Sequence, residues 1–180
     1  MMNLPNLITL LRIFLTFIVI WGWGMDSALG NIVACAAFFL AATTDWLDGW
    51  IARKYNLVTN LGKLLDPLAD KILITAGLFI LTQAQVLPSW VGFLILFREL
   101  GVSGLRQVAA EQGVVIQADA WGKWKTVVQL LGVFLLMIHQ AGLLHLPAPA
   151  TTQPVIYALM VGVTIVSGGN YFYQNRHVFK

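Results

Sequence analysis

Long apolar stretches, separated by short polar or proline-containing segments, organise the whole sequence. Six of these stretches approach the roughly 20 residues that a helix needs to cross a bilayer. They predict helices over residues 6–24, 29–53, 61–84, 88–111, 120–141 and 153–174. Glycine and proline occur inside several of them, as membrane helices allow. The pattern therefore predicts an all-α integral membrane protein with six transmembrane helices in a single domain, residues 1–180.

The composition and the positions of the charges agree with a membrane location. Hydrophobic residues make up 58% of the chain and charged residues 11%, too few for the surface of a soluble domain. All eleven Lys and Arg residues fall near the termini or near the second and fourth connections between predicted helices. Loops rich in Lys and Arg face the cytoplasm, so both termini are expected to be cytoplasmic. The protein is expected to be a multi-pass protein of the inner (plasma) membrane. Nucleic acid is not an expected partner.

Four of the eight acidic residues lie in one segment, "TDWLDGWIARKYNLVTNLGKLLDPLADK", residues 44–71. Asp45 and Asp48 are one helical turn apart, and so are Asp66 and Asp70 on the next predicted helix. The short connection makes the two helices antiparallel neighbours, so the four carboxylates can converge. A carboxylate at membrane depth costs about 2.5–3.5 kcal/mol, and like charges repel. Hard divalent cations such as Mg²⁺ or Mn²⁺ would neutralise the cluster.

The spacing D-x2-D-G-x2-A-R-x8-G-x3-D-x3-D, from Asp45 to Asp70, resembles the signature of the CDP-alcohol phosphotransferase family at all eight fixed positions. Members displace CMP from a CDP-linked substrate, usually CDP-diacylglycerol, with the hydroxyl of a small alcohol. The resemblance implies that two divalent cations, Mg²⁺ or Mn²⁺, are held by Asp45, Asp48, Asp66 and Asp70. It also implies that Asp70 is the general base. The residues that it assigns to CDP-diacylglycerol are Gly49, Ala52, Arg53 and Gly62.

A second group of basic residues bears on the acceptor alcohol. Arg98 and Arg106 lie in the fourth predicted helix, and Lys123 and Lys125 begin the fifth. Four cations suit an acceptor that carries a phosphate, although contact with anionic lipid headgroups is the alternative. The segments "NLPNLITLLR", "RELGVSGLR" and "GKWKT" resemble the bacterial phosphatidylglycerophosphate synthases, a branch of the family. That resemblance implies sn-glycerol 3-phosphate as the acceptor, and family resemblance also suggests a homodimer.

Several other interpretations of the sequence stay open. The same chemistry could use phosphatidylglycerol, inositol phosphate or serine as the acceptor. Membrane prenyltransferases also bind pyrophosphate through aspartates, but they have more spans and two separated motifs. A divalent-cation transporter would need acidic residues on a path across the membrane, and only Asp26 falls on the far side. On the first helix, Asn3, Asn6 and Thr9 are expected to help cap the N-terminus.

Overall fold

The computed structural model of the protein describes the backbone of residues 4–55, 60–114, 116 and 120–179. Its described elements are six α-helices and one short 3₁₀ helix, Arg176–Phe179. The α-helices are α1 (Leu4–Trp23), α2 (Ala28–Tyr55), α3 (Asn60–Gln83), α4 (Ser89–Glu111), α5 (Ala120–Gln140) and α6 (Pro149–Gln174). No strand occurs within the described ranges. The all-helical class and the six predicted helices are confirmed.

Some side chains lie outside the described part of the chain even where the backbone is helical. They belong to residues 4, 5, 45–55, 60, 61, 63, 64, 66, 120, 121, 123, 177 and 179. The predicted site residues Asp45, Asp48, Gly49, Ala52, Arg53, Asp66 and Lys123 are among them.

Local sequence signals explain where α2 begins and where α4 and α5 end. The hydroxyl of Ser27 accepts a hydrogen bond from the backbone N–H of Gly30 at 3.0 Å and so caps the start of α2. Gly113 and Gly142 follow α4 and α5 with φ of 75° and 72°, in the left-handed region that favours glycine. The N–H of the residue after each glycine bonds back to the helix, which is the usual glycine-terminated helix end.

One helix boundary departs clearly from the sequence prediction. α6 begins at Pro149, four residues before the predicted start at residue 153, and Pro154 lies inside it. Pro149 occupies the first helical turn, where a missing N–H costs nothing. The "PATTQP" segment therefore extends the helix instead of interrupting it.

The chain divides into two compact units, and residues from α5 belong to both. Unit 1 is Met1–Val86 with Val133–His145, and unit 2 is Leu87–Gly132 with Leu146–Lys180. In unit 1, α1 packs against both α2 and α3. Its core includes Phe38, whose ring stacks on that of Phe134 with the ring centres 6.3 Å apart. The single domain of residues 1–180 stays a prediction.

In unit 2, α4 packs against α6. The apolar core of this unit comprises Val102, Leu105, Ala109, Tyr171 and Val178. A buried hydrogen bond also joins α5 to α6: Gln129 Nε2 donates to Thr164 Oγ1 at 2.7 Å.

Two helical segments, Asn6–Trp23 and Pro149–Gln174, are long and apolar enough to cross a membrane on the criteria of length and composition. Among the described residues, the other helices do not meet both criteria. The prediction of six crossings with cytoplasmic termini therefore stays a prediction, although the six helices themselves are present.

Candidate active site

The acidic motif lies on the two helices that its spacing predicts. The backbone is helical through residues 45–55 in α2 and 60–70 in α3. Helical geometry places residues three or four apart on one face, so each aspartate pair shares a face of its helix. The side chains of Asp45, Asp48 and Asp66 lie outside the described part, so the convergence of all four carboxylates stays a prediction.

Gly62 and Asp70 are the motif residues whose surroundings the structure describes. Gly62 is buried near the start of α3, while the side chain of Asp70, two turns further on, is 46% exposed. Asp70 is therefore accessible to a ligand, as a metal ligand or a general base must be.

The carboxylate of Asp70 pairs with an arginine from the first helix. Nη1 of Arg12 donates to Oδ1 of Asp70 at 2.5 Å, and the Arg12 side chain is completely buried, at 0% exposed. A buried arginine loses its hydration and is tolerated only when a well-placed anion compensates the loss. The pair joins α1 to α3 across 58 positions of sequence.

Arg12 belongs to a row of buried polar residues along α1. Asn6, Thr9, Arg12 and Thr16 are each at most 1% exposed, and their spacing puts them on one face of the helix. Thr9 lies in the second turn of α1, too far in for an N-terminal capping residue, so the capping interpretation of Thr9 is wrong. Asn3, to which the same interpretation applied, lies outside the described residues. The spacing of three polar residues in "NLITLLR" was the available signal for this row.

Two of the basic residues predicted for the acceptor, Arg98 and Lys125, pair with one carboxylate in unit 2. Glu99 Oε1 accepts hydrogen bonds from Lys125 Nζ and, at 3.3 Å, from Arg98 Nη1. All three side chains are largely buried. Two cations around one anion leave a single positive charge, so Arg98 and Lys125 are not independent, solvent-facing cations.

Helix α6 holds both arginines of α4. Arg98 Nη2 donates to Ser167 Oγ at 2.6 Å, and Arg106 Nε donates to Tyr171 Oη at 2.7 Å. The Arg106 guanidinium also lies 5.3 Å from the centre of the Tyr171 ring, within cation–π range. Sequence reasoning missed Ser167 and Tyr171, whose separation by one helical turn in "SGGNY" was the only local signal.

Comparison with known proteins decides the family. The family model described as CDP-alcohol phosphatidyltransferase matches residues 2–166, which include the whole acidic motif and run through both units. The chain belongs to the CDP-alcohol phosphatidyltransferase family.

Relatives in this family are similar over nearly the whole chain. A CDP-diacylglycerol--glycerol-3-phosphate 3-phosphatidyltransferase of Bacillus subtilis is 43% identical and covers 100% of this chain and 98% of its own length. A protein of the same name from Rickettsia bellii is 36% identical over 98% of this chain and 97% of its own length. A probable phosphatidylglycerophosphate synthase of Mycobacterium tuberculosis is 39% identical over 94% of this chain and 79% of its own length.

The donor set of this CDP-alcohol phosphatidyltransferase fits hard divalent cations. Carboxylate oxygens are the ligands that Mg²⁺ and Mn²⁺ prefer, and the one motif carboxylate with a described environment is accessible. Among the described side chains, no group of three or more potential ligands forms a metal site. Three of the four motif carboxylates lie outside that set.

Proposed function

We propose that the protein transfers the phosphatidyl group of CDP-diacylglycerol to sn-glycerol 3-phosphate, which releases CMP and forms phosphatidylglycerol phosphate. One observation carries the proposal: the acidic motif is complete in a chain that matches, over its whole length, a relative named for this reaction. The same motif in a chain that lacked such relatives would support the reaction class but not the acceptor.

Asp70 has the main chemical role in this reaction. Its carboxylate removes the proton from the attacking hydroxyl of glycerol 3-phosphate, whose oxygen forms a new bond to the phosphorus of the phosphatidyl group. The bond from that phosphorus to the bridging oxygen breaks, and CMP leaves with the electron pair. Exposure of Asp70 supports this assignment because a base must reach its substrate.

The motif aspartates would also hold the metal that this chemistry uses. Asp45, Asp48, Asp66 and Asp70 would bind two divalent cations, Mg²⁺ or Mn²⁺, which neutralise charge on the diphosphate when bound. The nucleotide lipid would contact the remaining motif positions, namely Gly49, Ala52, Arg53 and Gly62.

The phosphate of the acceptor binds to the basic residues Arg98, Arg106, Lys123 and Lys125. The hydrogen bonds from the two arginines to α6 support this role, because a guanidinium that is held in place loses less freedom when it binds a phosphate. Glu99 limits the net charge of the cluster, which favours a small monoanionic or dianionic group over a large polyanion.

In this proposal the protein spans the inner (plasma) membrane several times, and its active site faces the cytoplasm. Large apolar side chains are exposed along α1, where Leu7, Phe14, Phe17 and Trp21 are each at least half exposed. Exposure of such side chains is unfavourable in free energy in water and favourable in lipid. CDP-diacylglycerol can then keep its acyl chains in the bilayer while its headgroup reaches the motif. A homodimer stays a prediction.

An acceptor panel tests the proposed reaction. Purified protein in detergent is incubated with CDP-diacylglycerol, Mg²⁺ and one acceptor at a time: glycerol 3-phosphate, phosphatidylglycerol, inositol phosphate or serine. We expect CMP release and a new phospholipid, measured by chromatography and mass spectrometry, with glycerol 3-phosphate alone. EDTA should stop the reaction and added Mg²⁺ or Mn²⁺ should restore it.

Two results would contradict the proposal. CMP release with inositol phosphate, and none with glycerol 3-phosphate, would assign a different acceptor. Uptake of a divalent cation into liposomes that contain the protein, without CMP formation under any condition, would favour a transporter.

A further inference from the structure

The pair formed by Arg12 and Asp70 links a buried helix face to an accessible carboxylate. Arg12 is completely enclosed, whereas almost half of the Asp70 side chain is exposed. The guanidinium holds Oδ1 at 2.5 Å from the interior side. The contact therefore leaves the carboxylate reachable from the surface, and it restricts how the group can rotate.

Arg12 is itself held in place by its surroundings. It lies midway along α1, a helix that packs on both motif helices. Its side chain has no exposed surface, so the residues packed around it limit its movement. A charged group whose movement is limited is well suited to orient the carboxylate that it contacts.

We infer that Arg12 is a positioning residue that orients the Asp70 carboxylate for binding a divalent cation. The inference rests on the proposed function, in which Asp70 is a metal ligand and the general base. Partners that hydrogen-bond to ligating groups fix the orientation of those groups, and their loss commonly weakens metal binding by about 10- to 100-fold. Arg12 has no direct contact with the reacting atoms in this assignment.

Two other roles for the pair predict different effects. A purely structural ion pair would support the packing of α1 on α3, and its loss would lower stability without changing metal affinity. A purely electrostatic role would repel the metal, so removal of the positive charge would tighten binding. Metal affinity, measured separately from stability and from activity, distinguishes the three.

Binding of Mn²⁺ to the purified protein in detergent provides that measurement. The electron paramagnetic resonance signal of free Mn²⁺ gives the dissociation constant without any substrate. Arg12→Met removes the charge at similar volume, and Arg12→Lys keeps the charge but replaces the planar fork with a compact ammonium group. Thr16→Val is the matched control, because it removes a buried hydroxyl one turn along the same face of α1 that bonds to the backbone carbonyl of Arg12 and not to its guanidinium.

We expect both Arg12 variants to raise the Kd for Mn²⁺ by about tenfold or more, and Thr16→Val to leave it unchanged. Circular dichroism checks that each variant retains its helices. If Arg12→Met does not fold, Arg12→Lys is used for the test, because it keeps a positive charge opposite Asp70 and therefore avoids leaving that carboxylate unpaired. Unchanged Mn²⁺ affinity in a folded Arg12→Lys protein, or tighter binding in Arg12→Met, would overturn the inference.

A double-variant cycle with Asp70→Asn tests whether Arg12 acts through Asp70. If it does, Arg12→Met should change the Mn²⁺ affinity of the Asp70→Asn protein by less than about twofold. Independent, multiplicative losses would refute the inference. A failure of the proposed function would give a different result. If the wild-type protein binds no Mn²⁺, the proposed metal site is wrong. If the wild type binds Mn²⁺ and the Arg12 variants bind it equally well, only the role of Arg12 is wrong.

Discussion

At the residue scale, the carboxylate of Glu99 determines how the basic residues of unit 2 can act. It accepts from both Lys125 and Arg98, and all three side chains are largely buried. Removal of one member of a buried ionic group leaves an uncompensated charge and typically costs about 3–5 kcal/mol. A phosphate that binds here would have to use the donors that remain on the two cations, so its affinity depends on how those donors are directed.

Ser167 directs one of those donors, and its removal tests the acceptor assignment. Ser167→Ala deletes the hydroxyl that accepts from Arg98 Nη2 at 2.6 Å. Hydrogen bonds to charged groups contribute about 1.5–3 kcal/mol when buried, so the KM for glycerol 3-phosphate should rise about 10- to 150-fold. The KM for CDP-diacylglycerol should stay the same in steady-state assays of CMP release.

Ser103→Ala is the control for that measurement. Ser103 also lies in unit 2, but its hydroxyl donates to the backbone carbonyl of Glu99 within α4. Its loss should leave both KM values close to those of the wild type. Equal effects of the two variants on both substrates would show that Ser167 does not act through the acceptor.

At the element scale, α1 is amphipathic in the sense opposite to that of a helix in a soluble protein. Its buried face carries Asn6, Thr9, Arg12 and Thr16, and its exposed face carries leucine, phenylalanine and tryptophan. In water the apolar face of a helix turns inward. The reversed arrangement is stable where lipid surrounds the helix, because polar groups then find their partners inside the protein.

Close packing of α1 on α2 holds this polar face in position and gives a stability prediction. A Cβ atom on Gly22 would lie 2.9 Å from the Gly30 carbonyl oxygen and 3.2 Å from the Ala34 nitrogen. Both are backbone atoms, so Gly22→Ala must push the helices apart. Such overpacking costs about 1–3 kcal/mol, and the unfolding free energy measured in detergent should fall by that amount.

Gly162→Ala provides the comparison for the close-packed glycine. Gly162 lies in α6, and a Cβ there would meet nothing within 4 Å. Alanine is favoured over glycine in a helix by up to about 1 kcal/mol, so this variant should be as stable as the wild type or more so. A similar loss in both variants would mean that glycine itself, and not the close contact, is required.

At the scale of the whole molecule, the membrane topology can be tested with a single cysteine. Cys35 is the only cysteine in the chain and is buried, so Cys35→Ala gives an unreactive background. With six crossings and cytoplasmic termini, His145→Cys between α5 and α6 should react with a membrane-impermeant maleimide in intact cells. Glu111→Cys at the end of α4 should react only after permeabilisation.

The Cys35→Ala protein without an added cysteine reports any background labelling. Reaction of both positions in intact cells, or reaction of Glu111→Cys alone, would contradict the proposed topology. Both positions are exposed in the structure. If either cysteine fails to react in permeabilised cells, lipid or another protein molecule must cover it, because its own chain does not.

The sequence by itself determined the helices and the chemical class. Apolar runs of about 20 residues allow few backbone solutions in lipid other than helices, because every backbone N–H and C=O must be satisfied internally. Fixed spacing was also enough to identify the motif from Asp45 to Asp70, and the family match bears this out. Only the start of α6 departed by more than two residues, because a proline in the first turn of a helix resembles a proline in a loop.

Only the tertiary structure decided which polar groups meet. Arg12 and Asp70 are 58 residues apart, and Arg98 and Ser167 are 69 apart. Helical periodicity places a residue on a face of its own helix, but it does not specify which helix covers that face. That choice depends on how the helices pack against one another. For this reason Lys125, which the sequence presents as a cation available to the acceptor, is found paired with Glu99.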